Sequence, residues 1–180
     1  MTRIKKDKIK NIKKGFSMME AVISVFVVAI GLVATINLVV SGLNHSTDSR
    51  DYITASQLAQ EGVELVRNLR DNNWAVNAGS FNGMPTSNNC RIDYTGSASL
   101  SCGLSNNDDE YTLSYSGNYY KRDALNKTKF GRRIAIQDPG DGTRVIVSIV
   151  SWKNEYITTA NCNVGNRCVY TRSVLTKWGE

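Results

Sequence analysis

From Phe16 to Leu43 the chain carries a single formally charged side chain, Glu20, and residues 21–40 are nearly all apolar. About 20 apolar residues rising 1.5 Å each match a hydrocarbon core of about 30 Å, so this stretch is long enough to cross a membrane. The charge distribution gives it a direction. Of 180 residues, 22 are Lys or Arg and 16 are Asp or Glu, a formal net charge of +6. Residues 1–15 hold Arg3, Lys5, Lys6, Lys8, Lys10, Lys13 and Lys14 against Asp7 alone, which accounts for the whole excess. A basic leader ahead of an apolar span stays in the cytoplasm and sends the downstream chain outside. The rest of the chain is electrically balanced, which argues against a basic nucleic-acid-binding face across the body. One histidine, His45, leaves no His-pair zinc site and few catalytic dyads.

Three kinds of segment share such a pattern. A secretory signal peptide has a shorter apolar region followed by small residues at a cleavage site. A plain signal anchor fits the length but has no use for Glu20, because a carboxylate in an apolar span costs about 2.5–3.5 kcal/mol on the lenient insertion scale. The third is a leader cut off just before the apolar run. Gly15-Phe16-Ser17-Met18-Met19-Glu20, behind Lys13 and Lys14 and ahead of Ala21-Val22-Ile23-Ser24-Val25-Phe26-Val27-Val28, resembles the cleavage and methylation motif of type IV prepilins. The resemblance covers roughly residues 1–70. It implies a cut between Gly15 and Phe16, N-methylation of Phe16, and Glu20 as the assembly residue. It also implies prepilin peptidase, other pilin or pseudopilin subunits, an inner-membrane assembly platform and membrane lipid as partners, no cofactor and no enzymatic activity. Ala29-Ile30-Gly31-Leu32 is similar to PilV-like minor pilins and type II secretion pseudopilins. Asn37 stands where many major pilins have a helix-breaking proline, so the local helix is expected to run unkinked.

Cleavage exposes an amine a few residues from Glu20. An unperturbed α-amino group titrates at about 7.7–8.0, and methylation keeps it basic. Within one helix Phe16 and Glu20 lie one turn apart; between staggered copies, Glu20 of one meets the terminal amine of the next. The second arrangement also sets an axial register, since an unpaired carboxylate in apolar surroundings is strongly penalised and a matched one is not. The bland alternative is a Glu20 that snorkels to the headgroups near the end of the span.

Between Phe16 and Asp71 there is no proline, and Gly31, Gly42 and Gly62 are isolated. A continuous helix over this range would be about 84 Å long. From Ala55 onwards its character changes: Ala55, Leu58, Ala59, Gly62, Val63, Leu65, Val66 and Leu69 fall on one face, with Gln57, Gln60, Glu61, Glu64, Arg67 and Asn68 opposite. The distal half is therefore expected to lie on a folded domain, where small Ala55, Ala59 and Gly62 let a sheet come close. The stripe is wider than a coiled-coil seam. Asp71-Asn72-Asn73 supplies a stop. The expected divisions are a leader at 1–15, a span or filament-core helix at 16–44, an amphipathic helix at 45–71 and a globular head at 72–180.

Residues 72–109 hold eight Asn, six Ser and four Gly, 18 of 38 positions, and read as a long polar connection. All four cysteines, Cys90, Cys102, Cys162 and Cys168, lie beyond the span. An even count outside the cytoplasm favours disulfides; nearest-neighbour pairing joins Cys90 to Cys102 and Cys162 to Cys168, one of three possible arrangements. Neither spacing is the Cys-x-x-Cys of a structural zinc site. Strands are expected at 111–116, 119–124, 132–137, 143–152 and 169–178, with Asp138-Pro139-Gly140-Asp141-Gly142 a turn between an antiparallel pair. The strand 143–152 is apolar on both faces and belongs in the centre; on the last, Tyr170, Val174 and Trp178 share a side. The fold class is α+β: a long N-terminal helix, membrane-spanning in its first half and amphipathic in its second, packed on a C-terminal antiparallel sheet as in type IV pilins.

Asn106-Asn107-Asp108-Asp109-Glu110 and the 138–142 turn offer oxygen ligands of the kind that hold Ca²⁺ in some secretion pseudopilins, but neither has EF-hand spacing, and solvated turns account for them. Tyr119-Tyr120-Lys121-Arg122 and Lys127–Arg133 are basic-aromatic clusters that would suit DNA in a competence-type filament; a solvated sheet edge explains them more simply. No phosphate loop, nucleophile elbow or carboxylate pair is visible. The expected function is that of a minor pilin or pseudopilin precursor. Its rivals are an uncleaved membrane-anchored adhesin or sensor and a secreted enzyme.

Overall fold

The computed structural model describes Gly15 and residues 17–94, 98–106, 108–116, 119–121, 125–153 and 158–177. These fall into two compact units, up to Ser46 and from Thr47 onwards, and one helix, α1 (Met18–Ala75, 58 residues), supplies residues to both. Ser17 stands at its N-cap, because the Ser17 carbonyl accepts the first intrahelical bond, from the Ala21 amide at 3.2 Å. At the other end the helix passes through Asp71-Asn72-Asn73, where the sequence predicts a stop, and continues to Ala75. The terminator is Asn77, at φ 54°: its amide donates to Trp74 O (3.0 Å) and the Ala78 amide to Asn73 O (2.9 Å), the paired bonds of a Schellman motif with asparagine in the left-handed position.

Among the described residues seven strands come after the helix: β1 (Ser87–Tyr94), β2 (Ala98–Cys102), β3 (Thr112–Ser116), β4 (Tyr119–Lys121), β5 (Lys127–Gln137), β6 (Thr143–Ser151) and β7 (Cys168–Thr176). Every pairing is antiparallel. The 11-residue β5 is the spine. One edge pairs with β6 from Gly131↔Ser151 to Gln137↔Val145; the other is shared end to end by β3, at Lys127 and Gly131, and β1, at Ile134 and Ile136. Beyond β1 lies β2, beyond β3 lies β4, and among the described residues β7 pairs with β6 alone. The fold is thus α+β, with the helix packed on a seven-stranded antiparallel sheet.

Burial follows the two periodicities. On α1 the buried positions Ala55, Leu58, Ala59, Gly62, Val63 and Val66 are the stripe read from the sequence, with Arg70 added at its end. They meet Ile134, Ile136 and Ile146 in one cluster, and Phe130, Val150 and Trp152 in another. The alternate positions of β5 and β6, Ala135, Val145, Val147 and Ile149, form a third cluster with Cys168 on the far face of the sheet. This is why β6 is apolar on both sides and central. Gly62 is the point of closest approach: a Cβ there would collide with Ser148 Oγ and come within 3.0 Å of Arg132 Cδ.

Two expectations are corrected. Residues 72–109 are not a plain connection, since β1 and β2 form a hairpin there in which Cys90, Ile92 and Tyr94 face Cys102, Leu100 and Ala98. Its outward positions are Asn, Arg, Asp and Ser, and that polarity masked the alternation. Lys127–Arg133 is no solvated edge either: it begins the spine strand, and Phe130, Arg132 and Arg133 are buried. Arg132, 1% exposed, donates from Nη1 to Leu58 O (3.4 Å) and from Nη2 to Ile92 O (3.1 Å), and pairs with Glu61 at 3.0 Å. Smaller shifts extend or trim strand ends; Arg122–Ala124 and Trp178 of the expected strands lie outside the described residues.

Disulfides join Cys90 to Cys102, directly opposite each other in the hairpin, and Cys162 to Cys168 at the entry to β7. One cystine sulfur is buried on each face of the sheet, Cys90 beneath the helix and Cys168 beyond it. Replacing Cys90 and Cys102 together by Ala is expected to lower stability by about 2–4 kcal/mol in denaturant titrations of the intact protein. Gly62→Val should cost about 1–3 kcal/mol in the same titration, because the Arg132 methylene it meets is pinned by three partners. An unchanged midpoint for Gly62→Val would contradict the close helix-to-sheet approach.

Candidate functional site

The first unit contains the motif residues. Gly15 is exposed and outside any element; Phe16 lies outside the described residues. With Ser17 at the N-cap and Met18 first in the helix, Glu20 occupies the third helical position, in the first turn. Ser17-x-x-Glu20 is the spacing of a capping box, a helix-start signal overshadowed in the sequence by the apolar run behind it. A carboxylate there also lies at the positive end of the helix dipole. The helix itself therefore gives Glu20 a partial electrostatic complement before any other group arrives.

No residue from Ser17 to Ser46 is buried. Apolar side chains point outward all round the helix, with Met18 at 90%, Phe26 at 64% and Leu38 at 72% exposure. A helix apolar on every side belongs in a bilayer or in a large apolar assembly, and α1 is long and apolar enough to cross a membrane. Two of its hydroxyls are satisfied internally: Ser24 Oγ donates to Glu20 O at 2.6 Å and Thr35 Oγ1 to Leu32 O at 2.8 Å. Glu20 is left as the one formal charge between Ser17 and Thr47.

The second unit brings the four cysteines together as the two disulfides, so none of them is a free nucleophile or ligand. In the 138–142 turn the carboxylates serve the backbone. Asp138 accepts from the Gly140 amide at 2.9 Å and pairs with Arg144. Asp141 accepts from the Thr143 hydroxyl at 2.5 Å and the Thr143 amide at 3.0 Å, and these bonds hold its carboxyl below the usual range. Glu110 accepts from the Ser105 amide at 3.1 Å and Asp109 pairs with Lys127 at 2.9 Å. Among the described residues no group of three His, Cys, Asp or Glu comes together as a metal site.

The basic-aromatic clusters are likewise distributed. Tyr120 turns inward, edge-on to Tyr115 (5.2 Å) and Phe130 (6.3 Å), and burial, with Tyr115 and Glu61 nearby, pushes its phenol up. Lys129 pairs with Asp51 at 2.6 Å, and Arg132 and Arg133 are buried. Among the described residues Tyr119 and Lys121, 5.8 Å from ammonium to ring, remain together on the β4 edge.

No family model matches the chain, and neither a curated protein nor a solved structure matches it. The architecture itself is pilin-like: a long apolar N-terminal helix whose second part packs on a C-terminal antiparallel sheet.

Proposed function

We propose that this chain is the precursor of a minor pilin or pseudopilin. In this reading prepilin peptidase hydrolyses the Gly15–Phe16 peptide bond on the cytoplasmic side of the inner membrane and the new Phe16 amine is methylated. The exposed apolar helix then passes from lipid into the core of a type IV pilus-like filament, and the disulfide-bearing head faces outward. The observation that carries the reading is the lone Glu20 carboxylate, in the first turn of a helix apolar on all sides and five residues after Gly15 in the sequence.

The chemistry is charge neutralisation. A cationic amine at Phe16 of one subunit and Glu20 of its neighbour satisfy each other only at one axial offset, so the pair both lowers the cost of burying the carboxylate and selects the register. The helix dipole contributes in the lone subunit but supplies only about half a charge, which leaves the carboxylate short of a full counter-ion. The satisfied hydroxyls of Ser24 and Thr35 raise no competing demand.

Mass spectrometry of the protein from a host with prepilin peptidase should show a chain that begins at methylated Phe16; a chain retaining residues 1–15 would favour an uncleaved membrane-anchored adhesin or sensor instead. Glu20→Ala should still be inserted and cleaved, yet be depleted by about tenfold or more from sheared filaments, the loss expected for one unpaired buried charge. Normal incorporation of Glu20→Ala would remove the pairing role.

A further inference from the structure

The outer edge of β7 is a preorganised backbone row. Trp152 N–H donates to Arg167 O at 3.0 Å, one step beyond the Ser151↔Cys168 pair. Antiparallel pairs alternate between those that exchange hydrogen bonds and those that do not, so Val169, Thr171, Ser173 and Leu175 are the β7 residues bonded to β6. Tyr170, Arg172 and Val174 accordingly aim both N–H and C=O away from the sheet. Two independent bonds agree with this phase, since Cys168 N–H is taken outward by Asn163 O at 3.2 Å and Thr176 O by Arg70 Nη1 at 3.3 Å.

Natural sheets blunt a free edge with lysine, proline, a bulge or a cover. Over its described length β7 carries one charge, Arg172, but no lysine, proline or bulge: its register with β6 is unbroken for nine pairs, and no described strand pairs with its other side. Both ends are fixed, one by the Cys162–Cys168 disulfide and the other by Arg70, itself held by Asp71 at 2.7 Å. A strand held in this way loses little conformational freedom on pairing. The side chains above the free row are Tyr170 and Val174, 48% and 54% exposed, with the exposed Arg172 between them and no ion-pair partner for it among the described residues.

We propose that β7 is a strand-addition site for an extended segment of a different protein, one that places a carboxylate opposite Arg172 and apolar residues opposite Tyr170 and Val174. The backbone row specifies an extended peptide and the lone cation specifies its charge. A second copy fits less well: two β7 strands paired antiparallel about their centre set Arg172 against Arg172, and like charges directly opposite are destabilising. The inference goes beyond the filament role and does not depend on cleavage of the leader.

The test uses the full chain in detergent micelles and a fluorescent acetyl-Thr-Val-Thr-Glu-Thr-Val-Thr-amide peptide, followed by anisotropy. Saturable binding is expected, about fivefold weaker when the peptide's Glu is replaced by Lys, with that preference reversed in Arg172→Glu. Val174→Pro removes an N–H that the ladder with β6 does not use, and should abolish binding while its thermal midpoint stays near that of the parent. Absence of saturable binding, or binding undiminished in Val174→Pro, would overturn the proposal. Self-association of the protein alone that Val174→Pro removes would assign the edge to a second copy and overturn it equally.

Discussion

A carboxylate placed among uncharged apolar residues demands a cation, and that demand organises the N-terminal half of this chain. Nothing in the helix from Ser17 to Thr47 supplies one: the hydroxyls of Ser24 and Thr35 are satisfied by backbone carbonyls, and the remaining surface is mostly aliphatic. The helix N-terminus offers a partial positive charge, enough to favour Glu20 at that position and too little to neutralise it. The Lys and Arg side chains of residues 1–15 are cations too, but under the proposed processing they leave with the leader, and the freshly exposed terminal amine is the cation that stays with the helix. The proposed processing and the proposed assembly are in this sense one electrostatic argument.

The head solves a different problem, that of seating a helix on a strongly polar sequence. Gly62 lets α1 come down onto β6, and the long side chain of Arg132 fills the space beside it, tying Leu58, Ile92 and Glu61 across helix, hairpin and spine strand. The terminal nitrogens of this buried guanidinium are occupied while its Nε is buried without a partner, so the cluster ties the three elements together through Nη1 and Nη2 alone. The disulfides act on the parts with least core of their own. One closes the hairpin of β1 and β2, where only Cys90 and Ile92 are fully buried, and the other fixes the loop that leads into β7.

Periodicity makes much of this legible. The stripe from Ala55 to Val66, the double-faced β6 and the Asp138–Gly142 turn are each readable from spacing and turn chemistry, because apolar content there matches the period of the element. The β1–β2 hairpin is hidden because its inward residues, Cys90-x-Ile92 and Ala98-x-Leu100-x-Cys102, are few and lie among Asn and Ser; the period-two signal is present but outvoted by composition. Arg132 and Arg133 mislead for a related reason, since charge in a strand ordinarily means solvent, and only tertiary partners distant in sequence make burial tolerable. The helix ends at Ala75 rather than at Asp71–Asn73 because Asn77, not Asn72 or Asn73, adopts the left-handed turn. At the N-terminus the capping role of Ser17 is readable from Ser-x-x-Glu, while Phe16 lies outside the described residues.

The proposed pair of Glu20 and a terminal amine joins two subunits, and zero-length carbodiimide coupling of intact filaments reads it out. No Lys or Arg lies between Phe16 and Arg50, so trypsin leaves the terminal amine and Glu20 of one chain on the same peptide. An amide formed within one chain therefore appears as a single dehydrated peptide, and one formed between chains as two peptides joined. The joined species is expected, with Glu20 bonded to the N-terminal residue of an adjoining subunit. Recovery of Glu20 uncoupled, or coupled only to its own Phe16, would contradict it.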